Sequence, residues 1–172
     1  MCFNKTIRKY KIEIKIFRIT KSNKNKIKKP KLKTMMKKII VIGDAGVGKT
    51  NLIKKYIGNS FERRYIETQK ITEYKFNNKI IYDYPGQIKF GNYGCDMFQD
   101  IDLCVLMYDT TNRLSFKSLQ FWKQKINSFG VNPEIIIVGN KTDGAAGKIN
   151  QFNLVSVKNN SNLNTIFNKF NN

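Results

Sequence analysis

The eight residues Gly43-Asp44-Ala45-Gly46-Val47-Gly48-Lys49-Thr50 constrain this chain more than any other stretch. They follow Ile39-Ile40-Val41-Ile42, a β-branched run of the kind that fills a buried parallel strand. They lead into Lys49 to Ile57, which reads as a helix stopped by Gly58. The match to G-x-x-x-x-G-K-[ST] therefore lies in its required strand–loop–helix setting. Glycines let the backbone curl so that N–H groups converge on one concavity, and the helix start adds partial positive charge. The loop through Asp44, Ala45, Gly46, Val47 and Gly48 is thus expected to wrap phosphates. Lys49 would reach the outer phosphates in both binding and catalysis, and the Thr50 hydroxyl would ligate Mg²⁺.

Downstream, strands and helices alternate. Residues 70–76 and 79–83 read as strands around the turn Asn77-Asn78, and Leu103 to Met107 as a buried strand with Asp109 just past its end. Ser115 to Phe129 is an amphipathic helix, with Phe116, Phe121 and Trp122 assigned to its core or surface. Ile135 to Val138 is the most apolar strand. Phe152 to Val155 and Leu163 to Phe170 read as a last short strand and a last helix. The pattern is that of an α/β fold, a mostly parallel central sheet flanked by helices, with ligands gathered at the carboxyl ends of the strands.

Charge divides the chain. Residues 1–38 hold 15 Lys or Arg and one acid, Glu13, whereas the remainder holds 17 Lys or Arg and 11 acids. We therefore expect a basic N-terminal arm over 1–36, without stable structure, and a single domain over 37–172. Such an arm suits nucleic acid or an anionic surface, although a bias towards Asn, Lys and Ile throughout the chain explains much of it. Ile12, Ile14 and Ile16 alternate with charged residues but have no evident partner strand. No apolar run is long enough to span a bilayer, and no secretory signal is evident. Cys2, Cys95 and Cys104 lack metal-ligand spacing and fit a reducing, intracellular setting. With no histidine, catalysis through a Ser-His or Cys-His pair is excluded.

The base is indicated by Asn140-Lys141-Thr142-Asp143, directly after a buried strand. A carboxylate at Asp143 can accept two hydrogen bonds from the N1–H and exocyclic amine of guanine, a donor pair that adenine lacks. Lys141 can lie over the base, and Asn140 can tie the base loop to the phosphate loop.

In this order, GDAGVGKT, YIET, DYPGQ, NKTD and SVK make residues 37–170 resemble a Ras-superfamily small GTPase, a P-loop NTPase binding GTP and GDP with Mg²⁺. FERRYIET, GQIKFG and LMYDTTNRLSFKSLQFW are most similar to the Ran branch, then to Rab, and no terminal cysteine suggests a lipid anchor. The resemblance implies that Thr68 completes the Mg²⁺ shell when a γ-phosphate is present and that Asp83 holds the metal through water. It implies that the Gly86 N–H contacts the γ-phosphate and that Gln87 positions the attacking water. Ser156-Val157-Lys158 would form the loop whose backbone meets the guanine carbonyl. A Ran-like switch would work in nucleocytoplasmic transport, moving between nucleus and cytoplasm with transport receptors. A Rab-like one would act in trafficking. Either would need an exchange factor, a GTPase-activating protein and effectors, since no arginine is evidently poised in cis.

Departures from the family pattern leave a second expectation open, a degenerate module that binds GTP with little or no hydrolysis. Thr68 and Asp83 lie close together in sequence, so the hairpin between them is short, and Lys70 stands where relatives have glycine. The segment from Asp143 to Ser156 is too short for the usual helix, leaving it missing or reduced, with Gly144-Ala145-Ala146-Gly147 as a shortcut. Tyr84 is expected to crowd the metal-binding aspartate; Val157, where the family has alanine, is tolerable if only its backbone acts and otherwise crowds the base.

Overall fold

The structure, a computed structural model, describes residues 36–87, 100–128, 130, 132–144 and 153–171. The basic arm up to residue 35, the stretch 88–99 with Cys95, and the shortcut and strand start within 145–152 lie outside the described residues.

Seven residues, Lys37–Gly43, form β1, and α1 follows at Lys49–Tyr56. The hairpin comprises β2 (Thr72–Phe76) and β3 (Lys79–Asp83). Asn77 and Asn78 both have positive φ, 44° and 61°, which suits a two-residue connection whose twist matches the strands. Next come β4 (Leu103–Asp109), α2 (Arg113–Lys117), α3 (Leu119–Ser128) and β5 (Glu134–Asn140). A 3₁₀ turn at Thr142–Gly144, β6 (Asn153–Leu154) and α4 (Leu163–Asn171) complete the chain.

The sheet order is β2-β3-β1-β4-β5-β6, parallel throughout except for β2 against β3. Ile39 stands beside Ile81 on one side and Leu103 on the other. Because side chains alternate across a strand, Ile39 and Val41 enter one core with Leu52 and Ile53 of α1 and Ile166 and Phe170 of α4. Ile40 and Ile42 enter the opposite core with Leu119, Trp122 and Ile126 of α3. At the outer border, β2 exposes Glu73 and Lys75, which pair at 3.2 Å, while Thr72, Tyr74 and Phe76 are half-buried.

Two expected boundaries shift. The first hairpin strand begins at Thr72 instead of residue 70, which clips the hairpin further. The expected single helix from Ser115 starts earlier, at Arg113, because the Asn112 side chain caps the Leu114 N–H. It is divided at Ser118, the C-cap of α2, where the Leu114 carbonyl accepts from both the Ser118 N–H at 2.9 Å and its hydroxyl at 3.1 Å, while the Trp122 N–H bonds on to the Ser118 carbonyl.

Candidate nucleotide site

The carboxyl ends of β3 and β5 and the loop after β1 meet at a cleft of about 1080 Å³. Its wall contains Ala45, Gly46, Gly48, Lys49 and Thr50 from the phosphate loop, with Thr68, Asp83 and Gly86. Asn140, Lys141, Asp143 and Lys158 line it as well, and the segment 61–70 forms a further side. Gly48 has φ 102°, and a Cβ on it would fall 2.3 Å from Asn140 Nδ2, so this turn requires glycine. No side chain caps the start of α1 and no acid lies in its first turn, which leaves its N–H groups available to an anion.

Lys49 is buried, and its ammonium donates to the Gly43 carbonyl at 2.9 Å and the Asp44 carbonyl at 2.7 Å. Burial pushes its pKa down to about 8, against the opposing pull of Asp83 and Asp44. Thr50 Oγ1 donates to Asp83 Oδ2 at 2.6 Å and lies 3.2 Å from Thr68 Oγ1. The three residues expected to hold Mg²⁺ therefore converge. Asp83 Oδ1 is buried with no hydrogen-bond partner, and burial raises the Asp83 pKa despite the Thr50 bond and the nearby Lys49 charge. An orphaned carboxylate oxygen beside two hydroxyls is a hard oxygen donor set, and it fits Mg²⁺. A divalent cation held there by Thr50, Thr68 and Asp83 would supply positive charge that offsets the charge of the phosphates.

Asn140 performs the expected tie. Its amide donates to the Val47 carbonyl at 2.9 Å, and its Oδ1 accepts from the Val157 N–H at 3.0 Å. At the base end, Asp143 Oδ1 accepts from the Ser156 hydroxyl at 2.6 Å, and Lys158 Nζ stands 3.6 Å from Oδ2. The Ser156 bond, with a smaller contribution from Lys158, outweighs desolvation and holds the Asp143 carboxyl below its ordinary value. Lys141, at φ 69°, pairs with Asp109 Oδ2 at 2.7 Å.

Two expected obstructions are removed. Tyr84 is 1% exposed and sits in the α3-side core, edge-on to Trp122, because it alternates with Asp83 along the extended chain. Val157 is likewise buried in the other core, so it offers its backbone to Asn140 and keeps its side chain off the base. Gly86 packs so closely on the phosphate loop that a Cβ would lie 2.3 Å from Ala45 N. Gln87 is exposed and stands outside the cleft wall, as do Asp44, Val47, Ser156 and Val157.

Several contacts escaped the sequence reading. Trp122, expected to serve packing alone, also donates its indole N–H to Asp44 Oδ1 at 2.7 Å. Asp109 anchors Lys141 and receives both the N–H and hydroxyl of Thr111. Arg63 and Arg64, two arginines of this chain, line the cleft. Strand-end position was a signal for Asp109; nothing in the local pattern pointed to the Trp122 bond.

The sequence profile described as the Ras family matches residues 38–171, most of the chain. The chain belongs to the Ras family. Within it, the chain is 32% identical over 124 residues to the Ypt/Rab-type GTPase avaA of Emericella nidulans, covering 64% of this chain and 60% of that protein. It is 32% identical over 126 residues to the Ypt/Rab-type GTPase YPT7 of Saccharomyces cerevisiae, covering 64% and 60%. It is 34% identical over 126 residues to the Ras-related protein Rab-7b of Paramecium octaurelia, covering 66% and 61%. The chain thus spans about 60% of the length of these Ras-family relatives. Their Rab and Ypt names support the Rab side of the resemblance, and the preference for Ran, with its nuclear transport role, is corrected accordingly. Among the described residues, no helix is long and apolar enough to cross a membrane.

Proposed function

We propose that this chain is a Rab-type GTP switch that binds GTP and GDP with Mg²⁺ and hydrolyses GTP to GDP. The observation that carries the reading is the convergence of Thr50, Thr68 and Asp83 below Lys49, with one Asp83 oxygen buried and unpartnered. The phosphate loop would hold the α- and β-phosphates through its N–H groups, and Lys49 would leave the Gly43 and Asp44 carbonyls for the outer phosphates. Asp143, oriented by Ser156, would accept the guanine donor pair. A γ-phosphate would draw the Thr68 and Gly86 loops together, and its loss would release them. Gln87 would orient the attacking water. As a switch in trafficking, it would depend on an exchange factor, a GTPase-activating protein and effectors.

A titration with GTP, GDP and ATP, each with and without Mg²⁺, tests binding. Tight Mg²⁺-dependent binding of both guanine nucleotides, with ATP far weaker, is expected; indifference to the base would refute the reading. Single-turnover hydrolysis by wild type and Gln87→Ala tests the chemistry. Equal rates would leave a nucleotide-binding module without catalysis by Gln87.

A further inference from the structure

Trp122 is the chain's one tryptophan, and it touches two segments that the nucleotide site must keep in register. Its indole N–H donates to Asp44 Oδ1 at 2.7 Å, in the phosphate loop. Its ring meets Tyr84, directly after Asp83, with centroids 6.1 Å apart and planes at 82°. Trp122 is 1% exposed, so this bond forms where water competes little. The two segments nearly touch again at Gly86, whose Cβ position would lie 2.5 Å from both the Asp44 carbonyl carbon and Ala45 Cα.

A carboxylate is an awkward group in a loop shaped for polyphosphate. Turned inward, it would oppose phosphate charge at close range, where repulsion is strong outside bulk water. Asp44 instead faces two ways: its carbonyl receives the Lys49 ammonium, while its carboxylate turns to Trp122. Ala45, Gly46, Gly48, Lys49 and Thr50 line the cleft, and Asp44 does not. An indole suits this task because it donates only, has a fixed direction and leaves no charge of its own near the phosphates.

We propose that Trp122 is a positioning residue for nucleotide binding, its indole N–H holding the Asp44 carboxylate out of the phosphate concavity. This role rests on the phosphate-loop reading given above. Trp122→Phe keeps an aromatic ring against Tyr84 and removes the donor. GDP binding, measured by calorimetry with Mg²⁺ at low and high salt, should weaken about tenfold at low salt, the scale of one charged hydrogen bond. The deficit should shrink as salt screens the freed carboxylate. Adding Asp44→Ala to Trp122→Phe should recover most of the loss, and Trp122→Phe introduced into Asp44→Ala should change affinity little. A purely structural tryptophan would give the same deficit at every salt concentration and in both backgrounds, which would overturn the proposal.

A second readout needs neither nucleotide nor the Trp122 variant. Asp44→Ala, nucleotide-free, should shift the emission of Trp122, and an unchanged spectrum would overturn the bond itself. Absence of GDP binding by wild type would sink the phosphate-loop reading and this role with it. Wild-type binding with undiminished affinity in Trp122→Phe would sink this role alone.

Discussion

On one wall of the cleft, the phosphate loop is fixed by bonds made deep in the domain. Asn140 joins Val47 to Val157, Trp122 holds Asp44, and Lys49 caps two carbonyls. On the other wall, the chain from Asn59 to Ile71 forms no helix or strand and exposes Tyr65 and Ile66 by 63% and 65%. That wall is fastened near its start, where Glu62 exchanges backbone bonds with the Asn51 side chain and pairs with Lys54. It is fastened near its end, where Thr68 meets Thr50. Elements that move on ligand binding come from the weakly held part of a fold, so nucleotide-linked motion is expected in the wall without helix or strand. Thr68 sits where the two meet.

The comparison breaks first at Lys49. Lys49→Ala should lower affinity for GTP and GDP by roughly a hundredfold or more, as expected for losing a buried charged donor to phosphate; calorimetric titration of both nucleotides measures it. Asn140→Ala strikes the fixed wall through the protein alone. It strands a buried carbonyl and a buried N–H, and should cost about 2–4 kcal/mol in chemical denaturation. Thr68→Ala strikes the seam. GDP affinity should hold within about twofold while the preference for GTP over GDP falls about tenfold, a split that competition binding reveals. Glu62→Ala loosens the irregular wall only. With a half-exposed ion pair at stake, stability should change by less than about 1 kcal/mol, and amide exchange should quicken from Phe61 to Thr68.

The smallest effect is acid-linked. Burial pushes the Asp109 carboxyl up, but bonds from Lys141 and Thr111 outweigh it and hold the group below its usual 3.8. A depressed folded value means stability that is present above pH 3.8 and drains as pH falls through the folded pKa. Asp109→Asn should therefore flatten the acid limb of a stability–pH curve below pH 4 and leave its slope near neutrality unchanged.

The fixed wall was the more legible one in the sequence. GDAGVGKT and NKTD declare their geometry locally, because each depends on a strand ending and a loop of set length. Asn140 was assigned as a tie between the loops for that reason, and it is one. The placement of Tyr84 follows from alternation along the extended chain after β3, whereas that of Val157, in a turn, depends on tertiary packing. Both neighbour site residues in sequence, and both turn their side chains into a core. The Trp122–Asp44 bond joins residues 78 apart, so no local pattern encodes it. The division at Ser118 is hidden for a different reason: apolar spacing and backbone bonding both continue across it.

The clipped hairpin has a consequence away from the nucleotide. Its outer strand gives the sheet a border of five residues, two of them ionised and paired with each other. A neighbouring chain seeking to add a strand along β2 meets a short edge that carries charge on its exposed face. A short, charged strand thus guards this border of the domain against joining its sheet to another.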